Sequence, residues 1–174
     1  MRETRHGTIT ASVLLTLCCA LWSPALAQAP PAGFPDVVGA LKATAGCLGV
    51  ETAQTPAGKR VIFAWFEDKK ALVGWYHGDV HQNAMKTVFP NLTFDLQPLP
   101  ELADDSGPIL AIVSVKFADG PKPDATAPAI SSIGIELYGP LPGGVAVGGR
   151  FAPAALTVRG FREIDAGTLP GRPR

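Results

Sequence analysis

At 174 residues, with 15 basic and 15 acidic side chains, the chain is long enough for one domain with its own core and too short for two comfortable ones. The charge is balanced and scattered, which leaves no electrostatic footprint for nucleic acid or an anionic membrane surface.

The first residues read as an export signal. Arg2 and Arg5 form a positive n-region, and Ile9 to Trp22 an apolar h-region too short to span a bilayer as a stable helix. Ala25-Leu26-Ala27 is a small-x-small cleavage site, so residues 1–27 are expected to be removed and Gln28 to become the first residue. An uncleaved membrane anchor is the alternative; the short apolar run and Pro24 argue against it. Cleavage takes Arg2, Glu3 and Arg5, leaving 13 basic and 14 acidic side chains. It also takes Cys18 and Cys19. Cys47 is then the sole thiol, so no internal disulfide is expected, and its apolar strand context reads as a small buried hydrophobe. The chain is therefore expected to be periplasmic or secreted, with no membrane partner after cleavage.

Residues 28–35 (QAPPAGFP) form a Pro-rich leader without apolar periodicity. Asp36 can cap a short helix over residues 37–44, which Gly46 ends. Residues 47–52 alternate as a strand, and residues 54–59, with Pro56 and Gly58, read as a hairpin connection. Residues 60–67 form the best strand. Val61, Phe63 and Trp65 face one way; Ile62, Ala64 and Phe66 face the other. A strand apolar on both faces needs cover on both. Helices can cover one face, and a partner subunit is one source of cover for the second.

Asp68 caps a helix from Lys69, with Leu72, Trp75, Tyr76, Val80, Ala84, Met85 and Val88 at helical spacing. Gly78 predicts a kink, and Pro90 a stop. Residues 91–107 are a long Pro- and acid-rich connection. Residues 108–117 and 130–138 are two further strands, the second with Ile133, Ile135 and Leu137 inward and Glu136 outward. They flank a Pro/Asp loop. After the turn at 139–144, residues 145–151 read as a glycine-weakened edge strand pairing back. The reading is one α+β domain over residues 36–160, with an antiparallel sheet carrying helices on one face, and a loose tail over residues 161–174.

The order helix, strand, turn, strand, helix, strand is most of a ferredoxin-like unit. AGCLGVE, VIFAWFED and KKALVGWYHGDVHQNAMKTV together resemble the middle of the antibiotic-biosynthesis-monooxygenase group of dimeric α/β barrels. That family opens a strand on PGxxG, ends the next on an aromatic and an acid, and follows with a helix holding an inner Trp. The matching places are Ala45 to Gly49, Phe66-Glu67 and Trp75, and the resemblance covers residues 36–89. It implies a ferredoxin-like, four-stranded sheet whose open face packs on a second subunit, hence a homodimer. The family's first strand has no counterpart in QAPPAGFP; either it is missing or residues 130–138 take its place. The haem-degrading branch carries an iron-ligating His on this helix. Here that position is Met85, with His81 one turn earlier. Met85 reads as core, and no cofactor is expected.

His77 and His81 stand at i, i+4, a spacing that can share a metal. No HExxH pattern accompanies them, a solvated helix face with a kink is the preferred reading, and no metal is assigned. His81 is the candidate catalytic residue, as a proton shuttle. Trp65, Trp75 and Tyr76 are candidates for an aromatic pocket, with core packing the alternative, above all for Trp65. Residues 139–150 (GPLPGGVAVGGR) match neither a P-loop nor a dinucleotide fingerprint. They read as a flexible hairpin, or as a loop that closes over a pocket and offers the Arg150 fork to an anion. Asp104, Asp105, Asp119 and Asp124 lack calcium-loop spacing. Three expectations follow. One is a binder of a small hydrophobic or aromatic molecule, with the cofactor-independent oxygenase activity the resemblance implies and His81 as base. The second is a non-catalytic exported accessory protein. The third is a haem binder using Met85 or His81.

Overall fold

The computed structural model describes residues 35–93, 97–118 and 129–169. Residues 1–27, read above as an export signal, most of the Pro-rich leader, Asp119, Asp124 and the last five residues lie outside the described residues.

Helix α1 (Val37–Ala43) starts where the Asp36 carboxylate accepts the Gly39 N–H at 2.8 Å, satisfying a donor the helix itself cannot use. Gly46 then turns the chain at φ +77°, and a Cβ there would stand 2.5 Å from the Ala71 methyl group. Glycine serves twice at this point, for the left-handed backbone and for the close approach of the next helix.

Strands β1 (Cys47–Gln54) and β2 (Arg60–Phe66) pair antiparallel across a tight turn. In it the Thr55 carbonyl accepts the Gly58 N–H at 2.9 Å, and the Thr55 hydroxyl accepts the Lys59 N–H at 3.1 Å. Asp68 caps helix α2 (Lys69–His77) by accepting the Ala71 N–H at 2.8 Å. The single kinked helix expected over this stretch is two helices. Gly78 leaves helical geometry (φ −64°, ψ 145°), and helix α3 (Asp79–Val88) starts afresh behind it. Gly78 at the N-cap and Asp79 in the first turn both favour a new start.

Strands β3 (Ile109–Phe117) and β4 (Ile130–Tyr138) complete a four-stranded antiparallel sheet in the order β1-β2-β3-β4. The α+β class is as read, and the layers are compatible with a ferredoxin-like fold. The strands follow chain order, so β2 and β3 are direct neighbours although both helices and a long connection lie between them in sequence.

The helical face of the sheet carries the main core. Val50, Ala64, Phe66, Ile109 and Ala111 pack under Leu41 of α1 and Leu72 of α2, with Trp75 and Leu99 against the margin. Leu99 adopts φ +59°, an uncommon conformation for a branched residue, and its side chain goes into that margin.

The opposite face of β2 is covered by the chain's own C-terminal segment. Trp65 is only 4% exposed and Leu156 5%. The Phe151 ring stands edge-on to Phe63 at 4.9 Å and to Trp65 at 5.3 Å between centroids. Pro153 sits on Gly49; a Cβ there would be 2.7 Å from the proline's own Cβ. The two-faced strand thus finds cover on both sides within one chain.

Two expectations for the C-terminal part change. Strand β5 (Val145–Val147) does not pair back on β4; it pairs in parallel with β6 (Arg162–Ile164), inside the stretch expected to be loose. Glycines at φ +99° and +109° (Gly143, Gly144) bend the chain away from the sheet before β5 begins. The apolar side of β4 does lie on the helical face, but the helices do not reach it. Ile135 stays 51% exposed and Leu137 38%.

Candidate functional site

The corner between α2 and α3 gathers four of the sequence-derived candidates. Trp75, Tyr76 and His77 occupy the last turn of α2, and His81 lies in the first turn of α3. After the break at Gly78 the His81 ring meets both aromatics, edge-on to Trp75 and tilted against Tyr76. Its centroid is 5.6 Å from Trp75 and 5.1 Å from Tyr76.

The Tyr76 carbonyl, left without a helical partner by the end of α2, is the anchor of the corner. It lies 2.8 Å from His81 Nδ1 and accepts the Gln82 side-chain N–H at 2.6 Å. A carbonyl can only accept, so the hydrogen bond places the His81 proton on Nδ1 and the ring lone pair on Nε2. Burial pushes the His81 pKa below its ordinary value; the Tyr76 carbonyl opposes the shift, and the charge of His77 adds to it. The result is a half-buried neutral imidazole with a fixed tautomer, a form suited to taking up a proton.

His77 points elsewhere. It is exposed, meets only the edge of Tyr76 at 5.1 Å, and borders a surface groove of about 380 Å³ between α2 and residues 97–104. Lys69 closes that groove, donating to the Leu102 carbonyl at 2.6 Å and meeting Asp104 at 3.1 Å. Among the described residues no cluster of three or more His, Cys, Asp or Glu side chains is placed to hold a metal. Met85, one turn beyond His81, is half-buried on α3.

Trp65 and Arg150 are not part of the corner. Trp65 lies on the sheet face away from the helices, stacked near Phe63 at 6.3 Å, so the structure does not bring it together with Trp75. Arg150 staples the C-terminal segment to itself. One guanidinium nitrogen donates to the Ala154 carbonyl at 2.8 Å and the Leu156 carbonyl at 3.0 Å; Nε faces Glu163 at 3.2 Å, and the group sits over the Phe161 ring at 5.4 Å. The fork expected to meet an anionic ligand is engaged with the chain's own carbonyls.

Cys47 is half-buried, its thiol directed at the Gly49 carbonyl at 3.7 Å, and burial raises its pKa. It fits the small-hydrophobe reading. Sequence reasoning missed Phe151 as the cover of Trp65 and Pro153 as the cover of the neighbouring Gly49. The signal is the apolar run FAPAALTV at residues 151–158, just past the hairpin read over residues 139–150. Searches against protein-family models, curated proteins and solved structures found no match.

Proposed function

We propose that the chain is an exported α+β protein that binds a small hydrophobic or aromatic molecule at the α2–α3 corner, with His81 taking a proton from it. The observation that carries this reading is the His81 ring held neutral between Trp75 and Tyr76, with Nδ1 on the Tyr76 carbonyl and Nε2 left as the basic nitrogen. Trp75 and Tyr76 supply the flat apolar walls that an aromatic ligand prefers.

Within that reading the resemblance to the antibiotic-biosynthesis-monooxygenase group supplies a reaction. An activated CH₂ group on an aromatic substrate loses one proton to His81 Nε2, leaving a carbanion. The carbanion adds dioxygen to give a C–O–O⁻ peroxide, and the His81 imidazolium returns the proton. Loss of water then leaves C=O in place of CH₂. No cofactor enters, because the substrate anion itself supplies the electrons to oxygen.

A non-catalytic accessory role is the second reading. It is favoured by one observation: neither the groove beside His77 nor a second cavity of about 500 Å³ near Arg60 and Lys116 is lined by His81. The two readings separate in one experiment with a tricyclic aromatic ketone bearing an acidic CH₂ group. The enzyme reading expects stoichiometric oxygen uptake that disappears in His81→Ala, with quenching of Trp75 fluorescence retained. Quenching without oxygen uptake supports the accessory reading. Neither quenching nor uptake across a panel of such ligands overturns both.

A further inference from the structure

Among the described residues, the last strand of the sheet has an unpaired edge and an apolar side left exposed. β4 pairs with β3 along one edge and with no other strand among the described residues. It runs nine residues (ISSIGIELY) without a proline. Ile135 and Leu137 are exposed on the helical face of the sheet, beside half-buried Val113, Val115 and Ile133. A long exposed edge strand with an apolar side is a template for pairing with another chain. The opposite edge differs: the exposed residues of β1 are Glu51, Thr52, Ala53 and Gln54.

The sequence of β4 is compatible with itself in the antiparallel sense. A two-fold axis through Gly134 keeps every residue on its own face, because the side-chain period of a strand is two. On the apolar face that axis sets Ile133 against the partner's Ile135, twice. On the polar face it sets Ser132 against the partner's Glu136. The observed register adds the deciding charge. Lys116 of β3 lies directly beside Ser132, so Lys116 and the partner's Glu136 flank Ser132 in one row across three strands. Their backbones are two strand spacings apart, about 10 Å, a span that a lysine and a glutamate side chain bridge together. Among the described residues neither Lys116 nor Glu136 has an oppositely charged partner within the chain. Glu136 accepts only the Tyr138 hydroxyl.

We propose that two copies of this chain pair antiparallel through β4, about a two-fold axis at Gly134, to form one continuous eight-stranded sheet. The two Lys116–Glu136 pairs fix the register, and the two apolar strips merge into one. This arrangement does not rest on the ligand reading. It differs from the face-to-face packing that the family resemblance implies, since the sheet face opposite the helices is already occupied by Phe151 on β2 and Pro153 on β1.

The test is a charge swap read by light scattering on the chain purified from its producing cells. The unaltered chain is expected to be a dimer at micromolar concentration. Lys116→Glu and Glu136→Lys each replace two attractions by two repulsions, and each should weaken dimerisation by about tenfold or more. The double variant should restore it. Both side chains are exposed, so the fold should persist, which circular dichroism checks. As a second readout, Gly134→Cys places two thiols together at the axis, and oxidation should give a covalent dimer. A chain that stays monomeric up to high micromolar concentration overturns the proposal. So do single reversals that leave the dimer intact, or a double variant that fails to restore it.

Discussion

The cover over Trp65 yields the sharpest stability prediction. Phe151 is 59% exposed, so about two-fifths of its surface is removed from water by Phe63, Trp65 and their surroundings. A phenylalanine contributes up to about 200 Å² when fully buried, so about 80 Å² is at stake. At about 25 cal/mol per Å² that is about 2 kcal/mol, and the two edge-on ring contacts add about 1 kcal/mol. Phe151→Ala should therefore lower the unfolding free energy by about 2–3 kcal/mol, a large part of the 5–15 kcal/mol typical of a domain. The assay is urea unfolding followed by tryptophan fluorescence, on a chain starting at Gln28 and so without Trp22, with Trp75→Phe as the background so that Trp65 alone reports. The folded-state emission of Trp65 should shift to the red as its cover is lost, with the slope of the transition little changed. A loss below about 0.5 kcal/mol with unshifted emission would show that Phe151 only rests on the sheet, and that Pro153 and Leu156 do the covering.

Two further outcomes follow from local geometry. His81 has a folded pKa below its ordinary value of 6.5, so the unfolded chain takes up the proton first. Its contribution to stability is complete above 6.5 and is lost as the pH falls from there toward the folded pKa; His81→Gln should flatten that part of the acid limb in a denaturation series. Gly49→Ala adds a methyl group 2.7 Å from Pro153 and should lift the C-terminal segment from β1. A cost of about 1–3 kcal/mol and a red-shifted Trp65 are expected, and an unchanged midpoint would mean the segment is not seated on that glycine.

The helices and strands were largely legible in the sequence because each is set by local chemistry. Asp36 and Asp68 cap the helices they precede, and the alternation of residues 60–66 shows in the register of β2 with both neighbours. The break at Gly78 read as a kink because glycine weakens a helix without saying whether the next turn resumes the same axis. That choice rests on the Tyr76 carbonyl, which the broken corner satisfies through His81 and Gln82. The same break sets the His81 ring near Trp75 and Tyr76 while His77 stays exposed, a difference in surroundings that i, i+4 spacing cannot express. Trp65 and Arg150 could not be separated from the corner by composition, since aromatic and basic residues look alike in sequence wherever the fold sends them.

The sequence by itself determined the α+β class, the caps, the two-faced character of β2 and the amphipathic side of β4, all of which follow from residue type and period. Only the tertiary structure decided what meets those faces. A strand apolar on both sides states a demand for cover, which a helix, a partner or a distant segment of the chain can each meet. Here helices α1 and α2 cover Ala64 and Phe66, while Phe151, far along the chain, closes over Trp65. The hydrophobic effect is non-directional, so the pattern carries the requirement for burial without naming the surface that supplies it.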